Sequence, residues 1–197
     1  MPISADDLLS VVRNYWRSDH AFDDKAENSP ETKRLQREWA QALEKMDQWR
    51  VLLRELGAAL PHFNIGNATA TSDACFRCSV YPNREPVYTN PGDEPRSRRW
   101  AVVGCVSILA PVYSIYGVQY DYRGKERIAE RVFFDPLPPE MQAPAEIIAR
   151  KLEAMFGVEA LPREIADIRI PLIVEPREPP DTTLFHALFS SYPERVP

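Results

Sequence analysis

Between Trp100 and Tyr120 the chain carries no charged side chain. An uncharged span of about twenty residues is long enough to cross a bilayer as a helix, so it belongs either to lipid or to a protein core. Its composition decides for a core. The span is rich in β-branched and aromatic residues, holds Gly104 and Gly117, and is broken by Pro111. Its tyrosines and Gln119 fall inside the run, not at the ends where interfacial residues belong. Two buried strands, about 100–109 and 112–122, accommodate these features, and the second places Val112, Tyr116, Val118, Tyr120 and Tyr122 on one face. Arg123-Gly124-Lys125 supplies a tight turn. Glu126 to Phe134 then returns as a third strand, so the three form an antiparallel meander.

A surface this apolar needs a long cover, and residues 30–59 provide one. Leu35, Trp39, Ala42, Met46, Trp49, Leu53, Leu56 and Leu60 alternate in steps of four and three, the period of one helical stripe, which Leu43 and Leu52 widen. Ser29 suits the N-cap, Pro30 the first helical position and Glu31 the positive helix end. Gly57 and Pro61 mark the stop. One continuous helix of this length spans on the order of 43 Å.

The remaining elements follow from local pattern. Residues 4–16 read as a helix capped by Ser4, and 17–28 as an acidic surface loop. Strands are expected at 63–69 and 74–81, the latter with Cys75, Arg77 and Ser79 on one face and Phe76, Cys78 and Val80 on the other. A proline-rich loop runs from Pro82 to Arg98. Pro144 to Phe156 is an amphipathic helix stopped by Gly157. Ile165 to Glu175 reads as an edge strand interrupted by Pro171, residues 175–180 as an extended linker, and Thr182 to Phe189 as a last helix capped by Asp181. Strands segregated from helices indicate an α+β fold. The expectation is one domain over 1–197, helical to residue 60 and sheet-rich beyond. It has a mostly antiparallel sheet of five or six strands, with the long N-terminal helix on one face and further short helices.

Composition narrows function. A net charge of −5 argues against a nucleic-acid partner, which needs a basic footprint. Three cysteines, an odd number, and no leader-like N-terminus favour a reducing, cytoplasmic setting over a disulfide framework. Cys75-Phe-Arg-Cys78 has no second ligand pair for zinc, and mid-strand its two thiols point to opposite faces. No metal or cofactor is expected. An enzyme would have to draw on a cluster such as His62, Asp73 and Cys75, which lacks any local signature. The tyrosines at 113, 116, 120 and 122 read as cross-strand packing.

Three functional classes remain. The first is a non-enzymatic protein-binding domain of inhibitor or escort type. Size, acidity and architecture match those common among immunity proteins that neutralise a bacterial toxin, an analogy of general character. Contacts would come from Asp19, Asp23, Asp24 and Glu27, from Arg96, Arg98 and Arg99, and from Glu175, Arg177 and Glu178. The acidic members would complement a basic toxin. The second class is an enzyme built on the Cys/His/Asp residues above. The third is a structural subunit, which would expose a large apolar patch.

Overall fold

The computed structural model describes residues 4–19, 29–83, 87–88 and 95–196. The sheet comprises β1 (Phe63–Asn67), β2 (Cys75–Pro82), β3 (Val87–Tyr88), β4 (Arg96–Ser107), β5 (Val112–Arg123), β6 (Glu126–Phe133) and β7 (Glu159–Ala160). The order is β1-β2-β4-β5-β6. The short β3 also pairs with β4, and these six strands are antiparallel, while β7 adds two parallel residues to β5. The uncharged run thus lies in the adjacent strands β4 and β5, joined by residues 108–111. Gly124 makes the β5–β6 turn with φ of 56°, a left-handed conformation that suits glycine.

The helices are α1 (Ala5–Val12), α2 (Pro30–Ala42), α3 (Met46–Ala59), α4 (Pro139–Phe156), α5 (Arg163–Ala166) and α6 (Leu184–Leu188). The expected caps hold at two starts: Ser4 Oγ accepts from the Asp7 amide at 3.2 Å and Ser29 Oγ from the Thr32 amide at 3.1 Å.

Both sheet faces are covered. On the first, α2, α3 and α4 bury Phe76, Cys78, Val80, Val102, Val106 and Tyr113. Trp49 stacks on Phe76 with centroids 5.3 Å apart, and Trp39 meets the same ring edge-on at 5.4 Å. A Cβ on Gly104 would lie 2.6 Å from Ile148 Cγ2, so glycine is what lets α4 settle on β4. On the second face, α1, α6 and the chain after β7 bury Cys75, Val103, Cys105, Val112, Tyr116, Val118 and Tyr120.

Five expectations are corrected. The helix over 30–59 is not continuous: a 3-10 turn at Leu43–Lys45 separates α2 from α3, and Leu43 is 45% exposed instead of widening the stripe. A twisted sheet does not stay beneath so long a straight rod, and a tighter turn is a common interruption in such a helix. The fourth helix begins five residues before Pro144, because Pro139 takes the first helical position and the added turn buries Met141. The expected strand over 165–175 is α5 followed by irregular chain. Leu172, Ile173 and Val174 are buried in succession, which an edge strand with one wet face does not allow. The 175–180 stretch is no extended linker at its start, since Val174 and Arg177 exchange backbone hydrogen bonds of 3.0 and 2.9 Å. The last helix is capped by Thr183, not Asp181. The Thr183 amide donates to His186 Nδ1 at 3.0 Å.

Candidate functional site

Two groups of arginines concentrate the polar chemistry. The first is buried. Alternation along β2 aims Arg77 at the α6 side of the sheet, where it is 5% exposed. A guanidinium there must place five N–H donors. Nε donates to the Ala68 carbonyl at 3.0 Å, Nη1 to Ser190 Oγ at 3.1 Å, and Nη2 lies 3.7 Å from the Asp73 carboxylate. Asp73 is itself buried, and its carbonyl accepts the Trp39 indole N–H at 2.8 Å. The neighbouring Ala74 amide donates to Phe189 at 3.1 Å. One short stretch therefore ties α2, β2 and the C-terminal segment together.

The electrostatics of this cluster are those of an interior. Burial pushes the Asp73 carboxyl up, and the attraction of Arg77 and the Ser190 hydroxyl does not offset it. Burial opposes charge on Arg77, but Tyr116, Cys105, Asp73 and Cys75 around it outweigh that and keep it protonated. Burial, then the hydrogen bond to Cys105, drives the Cys75 thiol well above its ordinary range, and burial takes Cys78 to about 12. Such thiols are protonated near neutral pH and are weak nucleophiles. The Tyr116 hydroxyl is buried beside Arg77 with no partner at full hydrogen-bond geometry among the described residues, and its proton is held more tightly than usual, chiefly by burial.

The cluster suggested by sequence does not assemble. His62 is exposed beside the far end of β2, where its carbonyl accepts from the Asn83 amide at 3.1 Å. Cys75 begins the same strand, roughly 26 Å away at about 3.3 Å per residue. Asp73 points to Arg77. Cys75 and Cys78 face opposite cores, as strand geometry requires, and all three cysteines are free. Among the described residues no group of three or more His, Cys, Asp or Glu side chains could hold a metal ion, and no helix is long and apolar enough to cross a membrane. The tyrosines share no pocket. Tyr113 donates to Glu153 at 2.6 Å on one face, whereas Tyr116 packs against Phe134 and Phe185 on the other. Tyr120 donates to the Glu194 carbonyl, and the Arg99 guanidinium lies 4.8 Å from the Tyr122 ring centroid.

The second group is exposed. Arg96, Arg98 and Arg99 lie in β4, not in a loop as the sequence suggests; residues 84–86 and 89–94 of that expected loop lie outside the described residues. Their register on β5 and β6 creates a charged ribbon. Arg96 sits directly opposite Arg123, Arg98 opposite Asp121, and Gln119 opposite Arg131. Strand alternation sets Arg96, Arg98, Arg123 and Arg131 on one face. Arg99 and Arg127 take the other, against the rings of Tyr122 and Tyr120 at 4.8 and 5.1 Å. Residues 96–100 and 119–131 carry seven cationic side chains and three carboxylates, a net +4 within a chain of net −5. Glu126 through Glu130 are all exposed, so neither helical layer covers this end of the sheet. Arg98 Nε pairs with Asp121 at 2.8 Å. Arg96, Arg123 and Arg131 make no ion pair among the described residues. A groove of about 410 Å³ opens here, lined by Arg96, Ser97, Arg98, Asp121, Tyr122 and Ile128.

The acidic candidates lie elsewhere. Asp23, Asp24 and Glu27 fall outside the described residues. Asp19 and Glu178 are exposed, and Glu175 pairs with Arg17 at 3.3 Å near the bridge between Arg17 and Ile173. Arg177 turns inward, its Nε donating to the Ser191 carbonyl at 2.7 Å. Sequence reading missed Arg77, Ser190 and Tyr116 as a unit, although an arginine alternating with Cys75 and Ser79 on a buried strand signals an internal network. It also missed Arg123, Arg127 and Arg131, whose density around the turn is visible in the sequence. Compared with known proteins, the chain matches no family model, no curated protein and no solved structure.

Proposed function

We propose that this chain is a non-enzymatic domain that binds a protein partner, as an inhibitor or escort does. One observation carries the reading: charge is segregated, with a basic ribbon uncovered at one end of the sheet and a net −9 over the rest of the chain. Segregated, solvent-exposed charge steers association and sets orientation between proteins. The groups that could do acid–base or nucleophilic work near the core are engaged in holding the fold. Among the described residues, the exposed large apolar side chains Leu43, Tyr81, Ile128 and Ile168 lie in separate parts of the chain, a pattern unlike the broad patch of an assembly subunit. A second reading, neutralisation of a basic toxin, draws on Asp19, Glu175 and Glu178. The bridge between Arg17 and Ile173 brings their two chain stretches side by side.

The test is a crosslinked pull-down from the native cell, run with three baits. These are the wild type, Arg96→Glu/Arg98→Glu, and Asp19→Lys/Glu178→Lys. One stoichiometric protein lost with the first double variant supports the ribbon as contact. Loss with the second supports the acidic side. Identical recovery with all three, or none with any, contradicts the proposal.

A further inference from the structure

The ribbon's two faces differ in a way that identifies the chemistry of a partner. On the face carrying Arg99 and Arg127, the cations lie over Tyr122 and Tyr120. On the opposite face, Arg96 and Arg123 confront each other across β4 and β5. Like charges directly opposite in an antiparallel pair are unfavourable. Arg123 has Glu126 on its other side and Arg96 has Tyr88, but neither arginine makes an ion pair among the described residues. Arg131 continues the same face one strand further out, at the register of Gln119. The groove beside Arg96 and Arg98 adds the apolar surface of Ile128, which is 44% exposed.

The free edge of β6 is a poorer docking element than this face. Ile128 is the extra residue of a bulge opposite Asp121 and Tyr122, and Glu126, Arg127, Glu130 and Arg131 line the strand. Bulges and charges are how edges resist strand addition.

We infer that the Arg96–Arg98–Arg123–Arg131 face is a docking surface for an acidic protein segment, whose carboxylates bridge Arg96 and Arg123. This inference rests on the proposed protein-binding role and names the partner's chemistry. Arginine favours carboxylate through paired, planar hydrogen bonds. A nucleic acid fits less well. Asp121 and Glu126 sit on the same face, and the rest of the chain is strongly acidic.

The test uses fluorescence anisotropy with the full chain and two probes of matched charge, a short poly-glutamate peptide and a single-stranded oligothymidylate. The peptide should bind, and Arg96→Glu/Arg123→Glu should weaken it by at least about tenfold. Arg50→Glu, on a helix away from the ribbon, should leave binding unchanged. Arg96→Lys/Arg123→Lys, which keeps charge but not the planar fork, should fall between. Tighter binding of the oligonucleotide, or equal binding of the peptide to the glutamate variant, overturns the inference. So does failure of the peptide to bind the wild type. In that last case, capture of a protein through the ribbon would leave the protein-binding proposal standing, and the two failures are thereby separable.

Discussion

Arg77 and Arg96 are arginines on strands of one sheet with opposite circumstances. Arg77 is enclosed, and its donors meet a carbonyl, a hydroxyl and a carboxylate that exist to receive them. Arg96 is exposed; it lies between Tyr88 of β3 and another arginine, Arg123 of β5. A charge that the fold has matched serves the fold; a charge left facing its own kind is held by the chain at a cost to stability. Under the proposed role, that cost marks a surface retained for another molecule.

The comparison can be broken most forcefully at Arg77. Replacement by Met removes the partner of a buried carboxylate and should cost about 3–5 kcal/mol in urea unfolding. Arg77→Met/Asp73→Leu should recover part of that loss, because the stranded carboxylate goes with its partner. A loss below about 1 kcal/mol for Arg77→Met would show the cluster to be incidental.

A smaller effect sharpens the description of the interior through pH. His186 lies below its ordinary 6.5, at about 4, because burial and then Arg177 and Arg163 oppose its protonation. Its neutral Nδ1 accepts from the Thr183 amide. The unfolded chain takes up this proton first as pH falls, so the contribution is complete above 6.5 and is lost toward 4. Because the ring is partly solvated, the loss is on the order of 2 kcal/mol. Asp73 works the other way: its raised folded value makes protonation favour the native state, so its contribution grows on acidification. His186→Gln keeps an acceptor at the cap and should flatten the fall between those two pH values. An unchanged pH profile would exclude His186 as its source.

The smallest effect concerns the ribbon. Arg96→Glu replaces a like pair with an opposite pair facing Arg123, and should stabilise the chain by about 0.2–1 kcal/mol. The gain should shrink in high salt, since both side chains are exposed.

Sequence made the sheet legible because period-two alternation and an uncharged run leave few alternatives. Periodicity was blind to the break at Leu43–Lys45, since a 3-10 turn preserves the apolar spacing on either side. The chain beyond Ile165 misled for the opposite reason. Its run of apolar, β-branched residues resembles a strand in sequence, but these residues are buried in succession and anchor irregular chain whose backbone bonds go to Arg17 and Thr182. Of the candidate contacts, Arg96, Arg98 and Arg99 were visible as a cluster. Their meeting with Arg123 and Arg131 depends on strand register, which a hydrophobic pattern does not specify at the polar end of a hairpin. Arg77 and Ser190 lie 113 positions apart, a distance that no local pattern reports.

The most direct measurement is equilibrium urea unfolding of Arg77→Met and Arg96→Glu beside the wild type, at neutral pH and low salt. Opposite signs are expected: a large loss for the first, and a small gain for the second that high salt erases. Loss of more than about 1 kcal/mol on Arg96→Glu would contradict the distinction. Arg96 would then belong to the fold, as Arg77 does, and the ribbon would no longer stand apart as a surface held for a partner.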